Sequence, residues 1–560
     1  MVVGAKIALQ HVPSKGRISL MKIQNFTVIK RQSIAKAVYG FLMVGAAVLM
    51  IFINPLELIT NWYLDIKEGS FLFRMWEKPS YEIYSEVWLY NYTNVPEYLS
   101  GESKVLKLNE VGPFTFQEVR TNENVTVDKD RGVLTMKPRT VLNFLPELSM
   151  AELTDATVTA PNIALVAVSS LAAEKLGYFA NAGAYYSLSA LGVKLFRNFT
   201  AEDILWGYEE PIVSIANNLF PGWIDFGKLG ILDRFYAQRS EFVEVDIGNA
   251  SNRFSLREWN GSPGIPEQGF TDLNSSIPCN VIKGTYEGFM LPPNFPRGKN
   301  IPIFRRQACR VYPFDYSGEF AGDNGFNYYR YILAKSSFSR SSQYACSCSH
   351  NCMPEGFVDV SNCYYGFPIA LSKPHFLDAD PVQRAYYEGL HPDPEKHSSH
   401  LDVEPTIGVP LTLHSKIQVN IAVRTSPGNP IINPLKDKVL PILWLSMYCD
   451  HTPPEVITLL RLRLVIGPPL IITIEVVLFI TGLCLGIHGF YRVWKPNYHF
   501  GEVNRRSVER TVDRKNVDRS VLLNIAENTA FSDDDTAKES VSLLTMEVDE
   551  AETPDIVVGD

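Results

Sequence analysis

The chain has 560 residues, of which 46% are hydrophobic, 12% aromatic and 20% charged. It is therefore long enough for two to four average domains, and its composition excludes a disordered chain, a collagen and a coiled coil. The formal net charge of −9, from 52 basic and 61 acidic residues, argues against a nucleic-acid-binding protein, which needs a basic face for phosphate contacts.

The first long apolar segment, residues 37–56, predicts a transmembrane helix. At about 1.5 Å per residue, twenty uncharged residues cross a hydrocarbon core of about 30 Å. The segment is longer than the apolar region of a cleaved signal peptide and follows a basic leader, so it indicates a membrane anchor. Residues 1–36 hold seven Lys or Arg and no acidic residue, which predicts a cytosolic N-terminal segment.

The next region predicts strands and then helices. Residues 81–99 and 111–119 are rich in aromatic and branched residues, and 128–132 form a turn signal between two apolar runs, which predicts a hairpin. Asn162 opens an apolar helix, and Thr200 with Asp203 resembles a capping box. Two interpretations of the apolar helices stay open: a plain core, or an exposed apolar docking surface. Short strands follow beyond residue 220, so we predict an α+β ectodomain with a β-barrel core.

Six of the eight cysteines cluster within residues 279–363. Their spacing is not a standard zinc pattern, and in an oxidising compartment it predicts three disulfides, without choosing among fifteen pairings. Six N-x-S/T sequons also fall between the predicted spans and predict glycosylated surface loops. A seventh, at Asn25, lies in the basic leader and is expected to stay unmodified. The six predicted glycosylation sites are Asn91, Asn124, Asn198, Asn249, Asn260 and Asn274.

A segment from 391 to 402 contains three histidines and several acids, which raises a metal or acid–base site as an alternative. Its prolines and its lack of helical spacing favour a solvated structural loop. No hydrolase, zincin or nucleotide-binding motif is present in the sequence, so we do not predict an enzyme.

Residues 470–491 predict a second transmembrane helix, with Pro468 and Pro469 at its start. Basic residues follow this helix and precede the first one, which places both termini in the cytosol and residues 57–469 outside it. The tail, residues 492–560, contains two acidic dileucine patterns, which predict sorting to endosomes or lysosomes by clathrin-adaptor-type proteins. The patterns comprise Asp518 with Leu522 and Leu523, and Glu539 with Leu543 and Leu544.

A series of motifs in order along residues 35–492 resembles the class B scavenger receptor family. These motifs are Gly112–Phe116, Leu205–Tyr208, Cys279–Thr285, Gly366–Ile369, Ser372–Phe376 and Pro441–Trp444.

This resemblance implies a β-rich ectodomain with an apical helical bundle, at about 145–220, and an internal apolar tunnel toward the membrane. A protein-lined conduit spares a lipid about 0.8 kcal/mol for each CH₂ kept out of water. The implied ligands are lipids, fatty acids, sterols or lipoprotein-like particles, and no cofactor is needed. The alternative is a sorting receptor, at the plasma membrane or in endosomes and lysosomes, whose apical helices bind a protein cargo.

The resemblance also implies roles for particular residues. It implies the disulfides Cys279–Cys346, Cys309–Cys363 and Cys348–Cys352. Family members that bind anionic lipids carry clustered lysines at the apex, where this chain has only Lys175, Lys194 and Arg197 as candidate ligand-binding residues. Cys484, in the second span, is either a palmitoylation site or a buried free thiol.

Overall fold

The computed structural model describes residues 14–212, 227–237, 241–248, 251–340, 346 and 352–495. The chain divides into two compact units, one of residues 52–473 and one formed by the two ends of the chain. The helices are α1 (Ser14–Ile53), α2 (Pro55–Tyr63), α3 (Phe71–Glu77), α4 (Val95–Ser100), α5 (Ile163–Lys175), α6 (Tyr178–Ala190), α7 (Ala201–Trp206), α8 (Ile231–Phe235), α9 (Pro381–Arg384), α10 (Pro394–His397), α11 (Pro454–Arg461) and α12 (Gly467–Trp494).

The strands of the larger unit vary from two residues to the 23 of β2. They are β1 (Ile83–Tyr92), β2 (Leu106–Asp128), β3 (Val133–Phe144), β4 (Thr157–Pro161), β5 (Phe196–Thr200), β6 (Tyr208–Glu209), β7 (Lys228–Leu229), β8 (Val243–Asp246), β9 (Leu256–Trp259), β10 (Ile301–Arg305), β11 (Arg310–Ala321), β12 (Asn327–Leu333), β13 (Val358–Asp359), β14 (Ile369–Ser372), β15 (Tyr387–Glu388), β16 (His400–Glu404), β17 (Val409–Ala422) and β18 (Val439–Cys449).

The unit formed by the chain ends contains most of α1 and α12. The helical segments Lys30–Ile53 and Pro454–Trp494 are long and apolar enough to cross a membrane. Inside this unit the two backbones touch, since a Cβ added to Gly40 of α1 would lie 2.4 Å from the backbone nitrogen of Gly486 in α12. The absence of side chains at these glycines therefore allows the helices to pack closely.

Both predicted spans differ from the structure at one end. α1 ends at Ile53 rather than at residue 56, because Pro55 disfavours a helical conformation at Asn54, which has φ +48°. Pro468 and Pro469 lie in the first turn of α12 as expected, but the helical run that contains α12 extends back to Pro454. A π-helical turn, Leu462–Ile466, precedes the prolines; its wider backbone relieves their clash with the preceding turn.

Among the described residues of the larger unit, fourteen strands form one sheet, and β4–β5 and β6–β7 form two separate pairs. The main path of this sheet runs β10-β11-β12-β16-β17-β18-β1-β2-β3-β8-β9, and β13, β14 and β15 join it off this path. Neighbouring strands on the path pair antiparallel. The predicted hairpin is the β2–β3 pair, in which Asp128 faces Val133.

The two ends of this path meet through residues 284–286. Leu256 N of β9 donates to the carbonyl of Thr285 at 2.7 Å, and Tyr286 N donates to the carbonyl of Pro302 in β10 at 2.9 Å. Tyr286 also forms a bridge with Ile303. The sheet is therefore closed into a barrel, and the α+β class predicted from the sequence is confirmed.

Candidate functional site: cavities within the barrel and at its base

An apolar cavity of about 250 Å³ lies among the helices through which the chain enters and leaves the larger unit. It is lined by α2, α3, α11, the first turn of α12 and loop residues beside the barrel. α11 contributes Val456 and Leu460, which are buried one helical turn apart on its inner face. We call this space the base cavity; its aliphatic and aromatic lining suits a hydrocarbon chain.

A cation also lines the base cavity. Arg463, in the π-helical turn, donates from Nε to Thr60 Oγ1 at 2.6 Å. Thr60 in turn donates to the carbonyl of Leu56 at 2.7 Å, so the guanidinium is tied to α2.

Two smaller cavities lie inside the barrel. One, of about 70 Å³, is lined by residues of β2, β11, β12, β14, β17 and β18, so strands surround it. The other, of about 120 Å³, shares Arg120, Arg305 and Gln307 with the first.

A charged network borders both of these cavities. Arg120 donates to Glu118 Oε2 at 2.8 Å, Tyr236 donates to Glu118 Oε1 at 2.5 Å, and Ser85 donates to the same oxygen at 3.2 Å. Burial alone would raise the pKa of Glu118, but the charge of Arg120 and these hydrogen bonds outweigh it and lower that pKa. Glu118 is therefore an ionised group inside the barrel.

Phe289 lies between the base cavity and the 120 Å³ cavity, because its side chain lines both. Its ring contacts Trp76 at 4.9 Å and Tyr81 at 6.1 Å between centroids. The interior is thus a series of cavities with a charged middle section, whereas the resemblance implies an apolar tunnel. Strands alternate inward and outward side chains, and isolated charges within them do not show from the sequence which face they occupy.

The two helices of the predicted apical region differ in burial. α5 begins at Asn162, whose side chain accepts a hydrogen bond from Leu165 N at 3.0 Å, and most of its side chains are buried. α6 instead exposes Phe179 and Tyr186, which are 88% and 71% exposed. Buried Asn181 joins the helices by donating to the carbonyl of Ala172 at 2.9 Å. Each of the two open interpretations therefore holds for one helix: α5 is core and α6 presents an apolar surface.

The three predicted cationic ligand residues are exposed but are not joined to one another by any contact among the described residues. Lys175 ends α5, and Lys194 precedes β5. Arg197 pairs with Glu210 at 2.7 Å and lies over the ring of Phe199 at 5.2 Å. Because its charge is neutralised by Glu210, Arg197 is less available to an anionic ligand than its sequence position indicates.

The cysteine cluster forms the two long-range disulfides implied by the resemblance. Cys279 is joined to Cys346, and Cys309 to Cys363. Cys352 is also disulfide-bonded, while Cys348, its expected partner, lies outside the described residues. Cys449 and Cys484 are free thiols, of which Cys449 is buried and Cys484 is exposed on α12; palmitoylation of Cys484 stays a prediction.

Four sequon asparagines are exposed, namely Asn124, Asn198, Asn260 and Asn274. Asn91 is half-buried, and its side-chain oxygen accepts a hydrogen bond from Thr159 N at 2.8 Å. Asn249 lies outside the described residues, as do the tail signals at Asp518, Leu522, Leu523, Glu539, Leu543 and Leu544.

Only the first part of the histidine segment is the solvated loop expected from its prolines: His391, Glu395 and Lys396 are exposed, whereas the residues after them are partly or fully buried. His397 is buried, and its ring stacks on that of His375 at 4.3 Å between centroids. Asp402 is buried as well and binds Arg330 through both carboxylate oxygens at 2.7 Å. His375 comes from a distant segment, so its contact with His397 could not be inferred from local spacing. Among the described residues no group of three metal-ligating side chains is present.

The charged side chains of the barrel interior and the base cavity were not predicted from the sequence. One signal was present: Glu118 and Arg120 are two residues apart in a strand, which places opposite charges on one face. The base cavity has no comparable signal, because its lining is assembled from four helices and from loops distant in sequence.

Comparisons with known proteins cover nearly all of the described structure. The model of the CD36 family matches residues 37–493. Scavenger receptor class B member 1 of Cricetulus griseus is 31% identical over 425 residues, which cover 74% of this chain and 80% of that protein. Lysosome membrane protein 2 of Rattus norvegicus is 28% identical over 429 residues, 75% of this chain and 86% of that protein. With two helices long and apolar enough to cross a membrane, one before and one after the barrel in sequence, and with this match over most of its length, the chain is a membrane protein that belongs to the CD36 family, the class B scavenger receptors.

Proposed function

We propose that this protein is a non-enzymatic receptor that binds lipids or lipid-bearing ligands at the exposed face of α6 and passes lipid through the barrel to the membrane. The observation that carries the proposal is the base cavity, an apolar space of about 250 Å³ whose lining includes the start of α12, the helix that contains the second predicted span. A lipid that moves through the 70 and 120 Å³ cavities into the base cavity avoids the cost of exposing its chain to water.

Transfer is tested by narrowing the base cavity in the full chain reconstituted into liposomes. Ile471 lines the base cavity, whereas its neighbour Ile472 is 58% exposed and does not line it. We expect Ile471→Trp to reduce uptake of a fluorescent fatty acid or sterol several-fold and Ile472→Trp to leave it unchanged. Equal uptake by both variants and the wild type would overturn the proposed route.

Capture at the apex is tested with Phe179, the most exposed aromatic residue of α6. Replacement Phe179→Ser removes apolar contact area, so binding of lipoprotein-like particles to cells should fall. Phe320→Ser is the matched control, because Phe320 is an exposed aromatic residue of β11. An equal loss in both variants would show that the effect is not specific to α6.

The similarity to lysosome membrane protein 2 and the exposed face of α6 support a second candidate function. In it, a protein cargo docks on α6, and the tail directs the complex to endosomes or lysosomes through adaptor proteins. We expect alanine at Leu522, Leu523, Leu543 and Leu544 to raise the fraction of the protein at the plasma membrane. An unchanged distribution would remove the support for this function, and a cargo that still binds Phe179→Ser would remove α6 as its docking site.

A further inference from the structure

The helix α2 carries apolar side chains on two of its faces. Leu56 and Ile59 line the base cavity and, being three residues apart, lie on one face of the helix. Leu58 and Trp62, four residues apart on the other side, do not line that cavity and are 55% and 67% exposed. None of the nine residues of α2 is buried. A single layer of helix therefore separates this part of the base cavity from its surroundings.

The exposed face of α2 suits contact with a lipid leaflet. An exposed apolar face in a membrane protein marks a surface that a membrane or a partner covers. α2 begins at Pro55, two residues after α1 ends at Ile53, so it lies where the chain leaves the first predicted span. It ends with Trp62 and Tyr63, whose rings meet edge to face at 5.0 Å between centroids. These two residue types are enriched where a membrane meets water.

One directional contact holds the middle of α2 in place. Arg463 Nε donates to Thr60 Oγ1 at 2.6 Å, and the other hydrogen bonds of α2 among the described residues stay within residues 54–65. The contact of Leu56 with Gly467 at the cavity wall is apolar. Apolar contacts are non-directional, so the Arg463–Thr60 bond is the contact that fixes the orientation of α2 against the cavity.

The two ends of α2 are suited to act as pivots. At one end Asn54, with φ +48°, interrupts the helix between α1 and α2. At the other end Leu64 is buried, and its carbonyl accepts a hydrogen bond from Arg253 Nη2. A rotation of α2 about these ends would break the bond to Arg463 and no strand pairing. Arg463 itself lies in the π-helical turn, a distortion that is frequent at functional sites.

We propose that α2 is the wall through which lipid leaves the base cavity: Leu58 and Trp62 contact the leaflet on the barrel side of the membrane, and the Arg463–Thr60 hydrogen bond holds the wall closed. The inference rests on the proposed transfer function and deepens it, because it assigns the exit step. Arg463 and Thr60 are positioning residues, which act through the placement of α2. They therefore set the rate of lipid exit rather than the affinity for lipid.

The exit step is measured as uptake of a fluorescent sterol by liposomes that contain the full chain, corrected for protein-free liposomes. Thr60→Val removes the acceptor hydroxyl and keeps the branched shape. We expect it to speed uptake several-fold and to leave the Kd for the sterol, measured in detergent, unchanged. Thr458→Val is the control, because Thr458 Oγ1, like that of Thr60, donates to the carbonyl four residues earlier at 2.7 Å. Thr458 lies outside the cavity lining, so this variant should keep the wild-type rate.

A second variant tests whether the two residues act through one bond. Arg463→Met removes the donor and keeps a long apolar stem, so it should speed uptake as Thr60→Val does. The combined variant should be no faster than the faster single variant, because the bond can be lost only once. Arg461→Met is the control, since exposed Arg461 donates to Asn324 at 2.9 Å. Increases that multiply in the combined variant would overturn the bond as the element that holds the wall closed.

Contact of α2 with the leaflet is tested on the unchanged chain, so this test does not depend on the folding of a variant. The full chain is placed in nanodiscs that contain a phosphatidylcholine with a photoactivatable diazirine in its acyl chain. We expect adducts on Leu58 or Trp62 and none on Val382, an apolar residue of α9 that is 58% exposed. Adducts absent from α2, or equal at Val382, would overturn the leaflet contact.

The remaining outcomes separate this inference from the transfer function. Unchanged or slower uptake with Thr60→Val overturns the role of the bond, while the transfer function stands as long as the wild type exceeds protein-free liposomes. A Kd that changes as much as the rate contradicts an exit step and indicates an effect on binding. A wild type no faster than protein-free liposomes removes the transfer function, and the assignment of α2 falls with it.

Discussion

At the scale of single residues, the environment of His397 departs most from what its sequence neighbours indicate. It packs against His375 and Trp444, at 4.3 and 5.6 Å between ring centroids. His375 donates from Nε2 to Glu110 at 2.9 Å while its Nδ1 accepts from His391 N, so its tautomer is assigned by these partners. Burial, and then the neighbouring His375, lower the pKa of His397 to about 4. Folding therefore favours neutral His397.

This environment predicts acid sensitivity. Because the folded pKa lies below the ordinary value of 6.5, the stabilising effect is complete above about pH 6.5 and is lost as the pH falls toward 4. We expect His397→Phe, which keeps an aromatic ring beside His375, to remove up to about 2 kcal/mol of this pH dependence of unfolding free energy. The measurement is denaturant unfolding between pH 7 and 4.5, with exposed His451→Phe as control. Parallel pH profiles for His397→Phe and wild type would refute the assignment.

The position of Phe289 between two cavities predicts that its replacement changes the rate of lipid transfer rather than the affinity for lipid. Leucine at this position keeps an apolar side chain but removes the ring that contacts Trp76 and Tyr81. We expect Phe289→Leu to speed lipid transfer several-fold in liposomes and to cost about 1 kcal/mol of stability. Phe320→Leu, in the exposed part of β11, should change neither quantity. Slower transfer in Phe289→Leu would mean that the ring guides the lipid instead of obstructing it.

At the scale of elements, short sequence motifs predicted local structure correctly, whereas contacts between distant segments could not be predicted from the sequence. The capping box is present as predicted: Asp203 N donates to Thr200 Oγ1 at 3.1 Å, and Thr200 N donates to Asp203 at 2.9 Å. Such a motif depends on four consecutive residues, so the sequence contains all of it. The end of α1 at Ile53 depends on Pro55 and could have been placed by the same kind of reasoning. The contact between α1 and α12 could not, because it joins residues more than 400 positions apart.

That helix contact predicts different effects of alanine at two glycines of α1. A Cβ at Gly40 would lie 2.4 Å from Gly486 N and 2.5 Å from the carbonyl oxygen of Gly482, whereas a Cβ at Gly45 would meet nothing within 4 Å. The obstructing atoms are backbone and cannot rotate away. We expect Gly40→Ala to lower the melting temperature of the full chain in detergent and Gly45→Ala to leave it unchanged or raise it slightly. Equal effects would argue that the helices do not touch there in the membrane.

At the scale of the whole molecule, the α+β class and the barrel could be predicted from the sequence, whereas the charged side chains of the interior could not. Strand periodicity shows which residues share a face and does not show whether that face is inside or outside a barrel. Strand periodicity for this reason does not mark Arg120 and Arg305 as residues that line a cavity. The pairing of the cysteines came from the resemblance, since spacing alone left fifteen arrangements.

Membrane topology is the whole-molecule prediction. If residues 57–469 lie in the secretory lumen and both termini in the cytosol, the exposed asparagines at 124, 198, 260 and 274 should carry glycans and Asn25 should not. We expect each Asn→Gln change at the four exposed sites to increase electrophoretic mobility by one step in the protein from glycosylating cells, and Asn25→Gln to have no effect. Glycosidase treatment should remove the differences. A glycan at Asn25 would reverse the predicted orientation.

The closure of the sheet at residues 284–286 has a mechanical consequence. Here β9 and β10 are linked by an irregular segment rather than by direct pairing: Gly284 N and Leu256 N form the bonds on one side, and Tyr286 N and Phe304 N those on the other. This segment joins β9 to β10 through far fewer hydrogen bonds than the β2–β3 pair contains. The barrel should therefore open between β9 and β10 before it opens elsewhere under thermal fluctuation. A rigid, bulky lipid such as a sterol could widen the barrel at this point without breaking the hydrogen bonds of a long strand pair. Amide hydrogen exchange that is faster at Tyr286 than in β2 would show this local opening.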